Sequence, residues 1–148
     1  MKKFPKETEL QKQIIAKCIE LGGCGDKIQD KFVKGKADIW LKLPEGQIIF
    51  VETKINIASS GIINPEFSIP QLTYLAFLEE HQVPSFGLCF AYRPVWDNLA
   101  TYYRISPAKE LLKTWKETNT IEYTLQDYVY YCDLGQIIEK LRDHMKNG

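Results

Sequence analysis

Histidine is scarce in this chain, with two among 148 residues. Its four cysteines, Cys18, Cys24, Cys89 and Cys132, form no C-x-x-C pair. A zinc centre of thiolates and imidazoles is therefore not expected, and unpaired thiols fit a reducing, cytoplasmic compartment. Net charge is missing too: 19 basic side chains balance 19 acidic ones, so no global field of one sign draws a polyanion. No stretch approaches the roughly 18 apolar residues of a membrane span. The opening "MKKFPKETELQKQ" is basic but lacks the apolar centre of a secretory signal. Repeats and low-complexity linkers are absent as well. A soluble intracellular protein of one domain is the expectation, long enough to bury about two-thirds of its unfolded surface.

Charge is nevertheless distributed unevenly. Residues 1–54 hold eleven lysines against eight acids, while residues 55–148 hold eight basic and eleven acidic side chains. The balance of +3 against −3 places any polyanion-attracting surface in the first third.

Apolar periodicity predicts a helix over residues 7–22, with Leu10, Ile14, Ile15, Cys18, Ile19 and Leu21 at helical spacing and Gly22-Gly23 as its stop. "GCGDKIQD" reads as a loop. "ADIWLKL" and "QIIFVETKI" read as strands joined at Pro44-Glu45-Gly46. "NIASSGIINPEF" reads as a mobile loop that could close over a substrate. Ser68 and Gln71 suggest a capping box opening a helix to about Gln82. "SFGLCFAY" and "TYYRI" are strand-like, and Ser106-Pro107 is expected to cap a helix with proline at its first position. "YVYY" and a helix from about Asp133 to Met145 complete an α/β domain with a mixed sheet.

The hairpin is where charge and burial conflict. Side chains alternate along a strand, so Glu52 and Lys54 share a face, as do Asp38, Trp40 and Lys42. A three-residue loop, Pro44 to Gly46, would set Trp40 opposite Phe50 and Asp38 opposite Glu52; a four-residue loop would shift this register. Opposed carboxylates destabilise a sheet unless compensated. A hard divalent ion held by Asp38, Glu52 and the Thr53 carbonyl would compensate them, with Lys54 beside it to hold a water. The other reading is an exposed hairpin face with Lys54 ion-paired to one acid.

Ala37-Asp38 followed by Glu52-Thr53-Lys54 resembles the PD-(D/E)xK nuclease superfamily, with Ala37 where proline is usual. Within it the chain looks like virus-type replication-repair nuclease (VRR-NUC) domains and phage Holliday-junction resolvases. Gly35-Lys36-Ala37-Asp38 resembles their G-x-P-D, and "FVETK" resembles the strand end of the phage enzymes. The likeness covers about residues 7–91; about 92–148 is an α/β extension without a matching motif. The resemblance implies a restriction-endonuclease-like core and a Mg²⁺- or Mn²⁺-dependent deoxyribonuclease. Its work would be replication, recombination or repair, leaving 5′-phosphate and 3′-hydroxyl ends. DNA is the implied partner, and a homodimer is possible, since junction resolvases cut two strands symmetrically.

Members also carry a glutamate on the first helix that reaches the metal. Glu7 and Glu9 are the candidates, Glu9 preferred by counting back from Gly22, with Gln11 there in another register. Both acids also suit the positive end of a helix. Gln71 matches the glutamine that opens the family's next helix and could orient the attacking water or the phosphate, besides capping. Lys34 and Lys36 are candidates for phosphate contacts. His81 sits near a helix end, and the tyrosine clusters could stack on bases but suit sheet packing better. The alternative function is a catalytically inactive nuclease fold that binds DNA or protein.

Overall fold

The computed structural model describes residues 6–28, 37–58, 61–95, 98–131 and 133–147. Lys34, Lys36 and Cys132 lie outside the described residues. The described elements run α1 (Glu7–Glu20), β1 (Cys24–Lys27), β2 (Ile39–Lys42), β3 (Ile48–Ile57), α2 (Ile69–Glu80), β4 (Ser85–Val95), β5 (Asn98–Pro107), α3 (Ala108–Thr118), β6 (Val129–Tyr130) and α4 (Leu134–Asn147). The strands form one sheet in chain order, parallel between β3 and β4 and antiparallel elsewhere. This is an α/β fold with a mixed six-stranded sheet flanked by four helices, compatible with a restriction-endonuclease-like core. Position 91 falls inside β4, so the sheet continues unbroken from the first part of the chain into the last.

Alternation along the strands builds two cores. Ile39 and Leu41 of β2, Ile49 and Val51 of β3 and Leu88 and Phe90 of β4 pack with Leu10, Ile14 and Cys18 of α1 and Ile137 and Leu141 of α4. On the other face Cys89 and Ala91 of β4 meet Leu72 and Leu75 of α2 and Leu111 of α3. β3 is central, and its odd-numbered side chains face α1 while Glu52 and Lys54 face α2. No described helix is long and apolar enough to cross a membrane.

The hairpin forms with the three-residue loop. Leu43 donates its amide to the Gln47 carbonyl at 3.1 Å, and Gly46 donates to Leu43 at 2.9 Å. Glu45 turns the corner at φ 54°. The register pairs Trp40 with Phe50 and Ile39 with Val51. The box at α2 also forms: Ser68 Oγ accepts the Gln71 amide at 3.2 Å, and Gln71 Oε1 accepts the Ser68 amide at 2.9 Å. Tyr92 and Tyr103 are buried in sheet packing and Tyr128 is buried just before β6, whereas Tyr130, on the strand itself, is exposed.

Three local expectations are corrected. The stretch read as a loop after α1 contains β1, an edge strand paired to β2 from Cys24–Lys42 to Lys27–Ile39. Its two glycines and polar side chains hide the usual strand signature, yet they are there for close approach. A Cβ at Gly23 would lie 2.2 Å from the Lys42 carbonyl oxygen and 2.8 Å from Cys18 Sγ. At the start of α3, Pro107 is the N-cap and supplies no side-chain bond. Ser106 remains in β5 opposite Gly87, its hydroxyl engaged by Arg104 and Tyr123. The segment read as a loop from Asn56 begins inside β3, which runs to Ile57; positions 59 and 60 lie outside the described residues, and farther on Ile63 and Tyr123 exchange amide hydrogen bonds of 2.7 and 2.8 Å.

Gly23→Ala should force the β1–β2 backbone apart and destabilise the protein by roughly 2 kcal/mol or more. Thermal melting should fall by roughly 4–8 °C. An unchanged melting temperature would contradict this packing.

Candidate metal centre

The site begins where the β2–β3 ladder ends. Hydrogen-bonded pairs alternate along antiparallel strands. Leu43–Gln47 is one, so the series continues through Ile39–Val51 and would next reach Ala37–Thr53. It stops short. Asp38 donates its amide to Val51 at 3.1 Å, and Ile28 donates to the Asp38 carbonyl at 2.9 Å, fixing the Asp38 backbone from both sides. The Thr53 amide is given instead to Asp38 Oδ2 at 2.8 Å. Amide and carbonyl of one strand residue point to the same edge, so the Thr53 carbonyl faces this edge too, which no strand occupies among the described residues. Asp38 therefore lies one step past the ladder, its carboxylate wrapped over the edge of β3.

From the α1 face, Glu7 and Gln11 converge on the Thr53 hydroxyl. Gln11 Nε2 donates to Oγ1 at 2.8 Å, and the hydroxyl lies 2.9 Å from Asp38 Oδ2 and 3.0 Å from Glu7 Oε1. One hydroxyl proton cannot serve two carboxylates. The hydroxyl therefore donates to Glu7 or to Asp38, and the other carboxylate approaches the same oxygen without that proton. Burial pushes the Glu7 pKa up, against the Thr53 hydrogen bond, and the Asp38 charge adds to the rise.

From the α2 face, the amide that caps the helix is used twice. Gln71 Oε1 accepts from Ser68, while Nε2 donates to Glu52 Oε1. Lys54 Nζ lies 3.9 Å from the same oxygen and 5.5 Å from the centroid of the Phe67 ring. Phe67 needs the space over Gly87, which pairs with Glu52 across β3 and β4. A Cβ at Gly87 would come within 2.8 Å of that ring.

Glu52 is 1% exposed. Its desolvation raises the pKa to about 9; the charges of Asp38 and Glu7 add to the rise, and Lys54 opposes it. Among the described residues no three His, Cys, Asp or Glu side chains are set as a ready cage for a metal ion. The donor set is sparser: two carboxylates in mutual contact and one main-chain carbonyl, all hard oxygen ligands. That set fits Mg²⁺ or Mn²⁺, which take one or two carboxylates and keep several waters. The nearest thiols offer no alternative, because Cys18 and Cys89 are buried and burial raises both pKa values.

Asp38, Glu52, Thr53, Lys54 and Gln71 are thus brought together. Glu9 is not: it is exposed, while Glu7 points inward. The reason is helical phase, since Glu7 shares a stripe with Gln11 and Ile14 at spacings of four and seven, and Glu9 lies about 200° round from Glu7. His81 ends α2 at the opposite end from Gln71, with Nδ1 2.9 Å from the Phe77 carbonyl oxygen. Sequence reasoning missed Phe67 and Gly87 and gave Gln11 no role of its own. A buried glutamine in an otherwise apolar stripe was the available signal for Gln11; Phe67 and Gly87 carried none. A cavity of about 350 Å³ at the start of β4, lined by Val83, Ser85, Phe86 and His144 among others, includes none of these groups.

In metal-free protein, Glu52 holds a proton in the native state between pH 4.5 and about 9, where the unfolded chain has released it. Stability should therefore fall as pH rises through that window. Melting should drop by roughly 2–4 °C per pH unit. Glu52→Gln should flatten the slope and melt higher at the alkaline end; a variant that keeps the wild-type slope would contradict the assignment.

A scan against protein-family models finds no match for this chain, and a search of curated proteins likewise finds none.

Proposed function

We propose that this chain is a divalent-ion-dependent deoxyribonuclease that hydrolyses DNA phosphodiester bonds, as its resemblance to the PD-(D/E)xK superfamily suggests. One observation carries the reading: the buried Glu52 and the half-buried Asp38 converge where the β2–β3 ladder ends, beside the Lys54 ammonium, with burial and the Asp38 charge opposing ionisation of Glu52. A fold evolving for stability alone has no use for such a cluster, because uncompensated buried acids are costly. Bound to the Asp38 and Glu52 carboxylates and the Thr53 carbonyl, Mg²⁺ or Mn²⁺ would acidify a water and neutralise charge on a phosphoryl group.

The chain's own residues would then divide the remaining work. Lys54, held near Glu52 and the Phe67 ring, donates to a phosphate oxygen or to the attacking water. Gln71 and Thr53 hold the carboxylates in orientation. Glu7 sits behind Asp38, in reach of the same hydroxyl, and adds negative charge when it ionises.

The purified protein should cut at least one of plasmid, single-stranded or branched DNA when given Mg²⁺ or Mn²⁺, and not when given EDTA. Asp38→Asn and Lys54→Ala should each reduce the rate by about 10²–10⁴-fold with little change in melting temperature. DNA binding that persists while wild type and variants are equally inert with either ion would overturn the nuclease reading and favour a binding module.

A further inference from the structure

We infer that Gln71 and Thr53 set the ion preference of this centre, each by occupying one oxygen of one ligand carboxylate; the inference rests on the divalent-ion reading above. The amide and hydroxyl donors to Asp38 both fall on Oδ2, at 2.8 Å from the Thr53 amide and 2.9 Å from its hydroxyl. The donor to Glu52, Gln71 Nε2, falls on Oε1, the oxygen that Lys54 also approaches at 3.9 Å. Among the described residues no amide, hydroxyl or ammonium donor engages Asp38 Oδ1 or Glu52 Oε2; what else the two groups meet is each other and Glu7, carboxyl contacts that a bound cation would replace. Each carboxylate therefore has one oxygen tied by an amide or hydroxyl donor and one to offer.

A carboxylate tied in this way binds a cation through a single oxygen. Bidentate binding requires both oxygens to turn toward the ion, which would break the bonds from Gln71 or Thr53. Ca²⁺ prefers six to eight oxygens and commonly gathers them by bidentate carboxylates, whereas Mg²⁺ takes six in near-ideal octahedral geometry and keeps its waters. Two single-oxygen carboxylates and one carbonyl, completed by water, match the smaller ions and leave Ca²⁺ short of ligands.

The two positioning residues are themselves held firmly. Gln71 is fixed by the capping box, so its amide plane cannot turn without unpairing the Ser68 amide. Thr53 is fully buried, and Gln11, 7% exposed, donates to its hydroxyl at 2.8 Å. Gln11 is thus a positioning residue one step further back. It leaves the Thr53 oxygen already accepting a bond, so that its proton is directed to a carboxylate.

Ion affinities measured by calorimetry for Mn²⁺ and for Ca²⁺, at fixed pH and without DNA, test this independently of cleavage. Wild type should bind Mn²⁺ at least about tenfold more tightly than Ca²⁺. Gln71→Met should reduce that ratio about fivefold or more, and Thr53→Val by about twofold because the Thr53 amide remains. Thr53→Ser should restore the wild-type ratio. Ser68→Ala, which weakens the helix cap but leaves the Gln71 side chain in place, should lower the melting temperature and not the ratio. If Gln71→Met and Thr53→Val fold and keep the wild-type ratio, the inference is wrong while the ion site stands. If wild type binds neither ion, the ion-site reading itself fails and this inference falls with it.

Discussion

The structure turns on one substitution in a hydrogen-bond ladder: the Thr53 amide is given to the Asp38 carboxylate in place of a backbone carbonyl. That exchange ends β2–β3 pairing in the middle of β3 and leaves the edge of β3 at Thr53 without a strand partner among the described residues. It also carries an acid from the end of one strand across to the next, where it meets Glu52 on one face and the Thr53 hydroxyl on the other. A continued ladder would bury the Thr53 carbonyl in a hydrogen bond and leave no oxygen edge to bind anything.

The cost of gathering acids here is met locally by neighbours of different kinds. Burial makes both Glu7 and Glu52 harder to ionise. A neutral amide from the cap of α2 and an ammonium on β3 meet at the same Glu52 oxygen. The aromatic ring near that ammonium lies over a glycine that pairs with Glu52 itself. Conflicts between local stability and arrangement of this kind are expected at functional sites, with compensation supplied by the surrounding fold. Both halves of the sheet contribute: α1 and α4 back the Thr53 face, and α2 and α3 back the Glu52 face.

Much of this arrangement is legible in the sequence because it follows from period and turn chemistry. A proline, a tight corner and two β-rich runs fix the hairpin register as far as Ile39–Val51, which carries position 38 to the end of the ladder; the bond from the Thr53 amide to its carboxylate then brings it beside position 52. Ser68 with Gln71 announces the capping box. The same reasoning fails where side-chain identity misleads. β1 holds one glycine, Gly25, among polar residues and is preceded by Gly23, and the value of both glycines lies in close backbone approach to β2 and Cys18. Glu7 and Glu9 are indistinguishable by composition, and only the phase of α1 against the sheet separates them. Phe67 reads as one more apolar residue in a loop, because its relation to Lys54 comes from a crossover that brings β4 beside β3. Pro107 caps α3 because β5 runs directly into the helix, leaving no loop residue to do so.

The most direct measurement is anomalous diffraction from crystals soaked in Mn²⁺ at a wavelength near the manganese edge. The account requires one peak at the Thr53 edge of β3, within bonding distance of Asp38 Oδ1, Glu52 Oε2 and the Thr53 carbonyl oxygen, with the Gln71 and Thr53 bonds to the opposite oxygens intact. Well-ordered crystals saturated with Mn²⁺ that show no peak there, or an ion bound elsewhere while Asp38 and Glu52 stay in contact with each other, would contradict it.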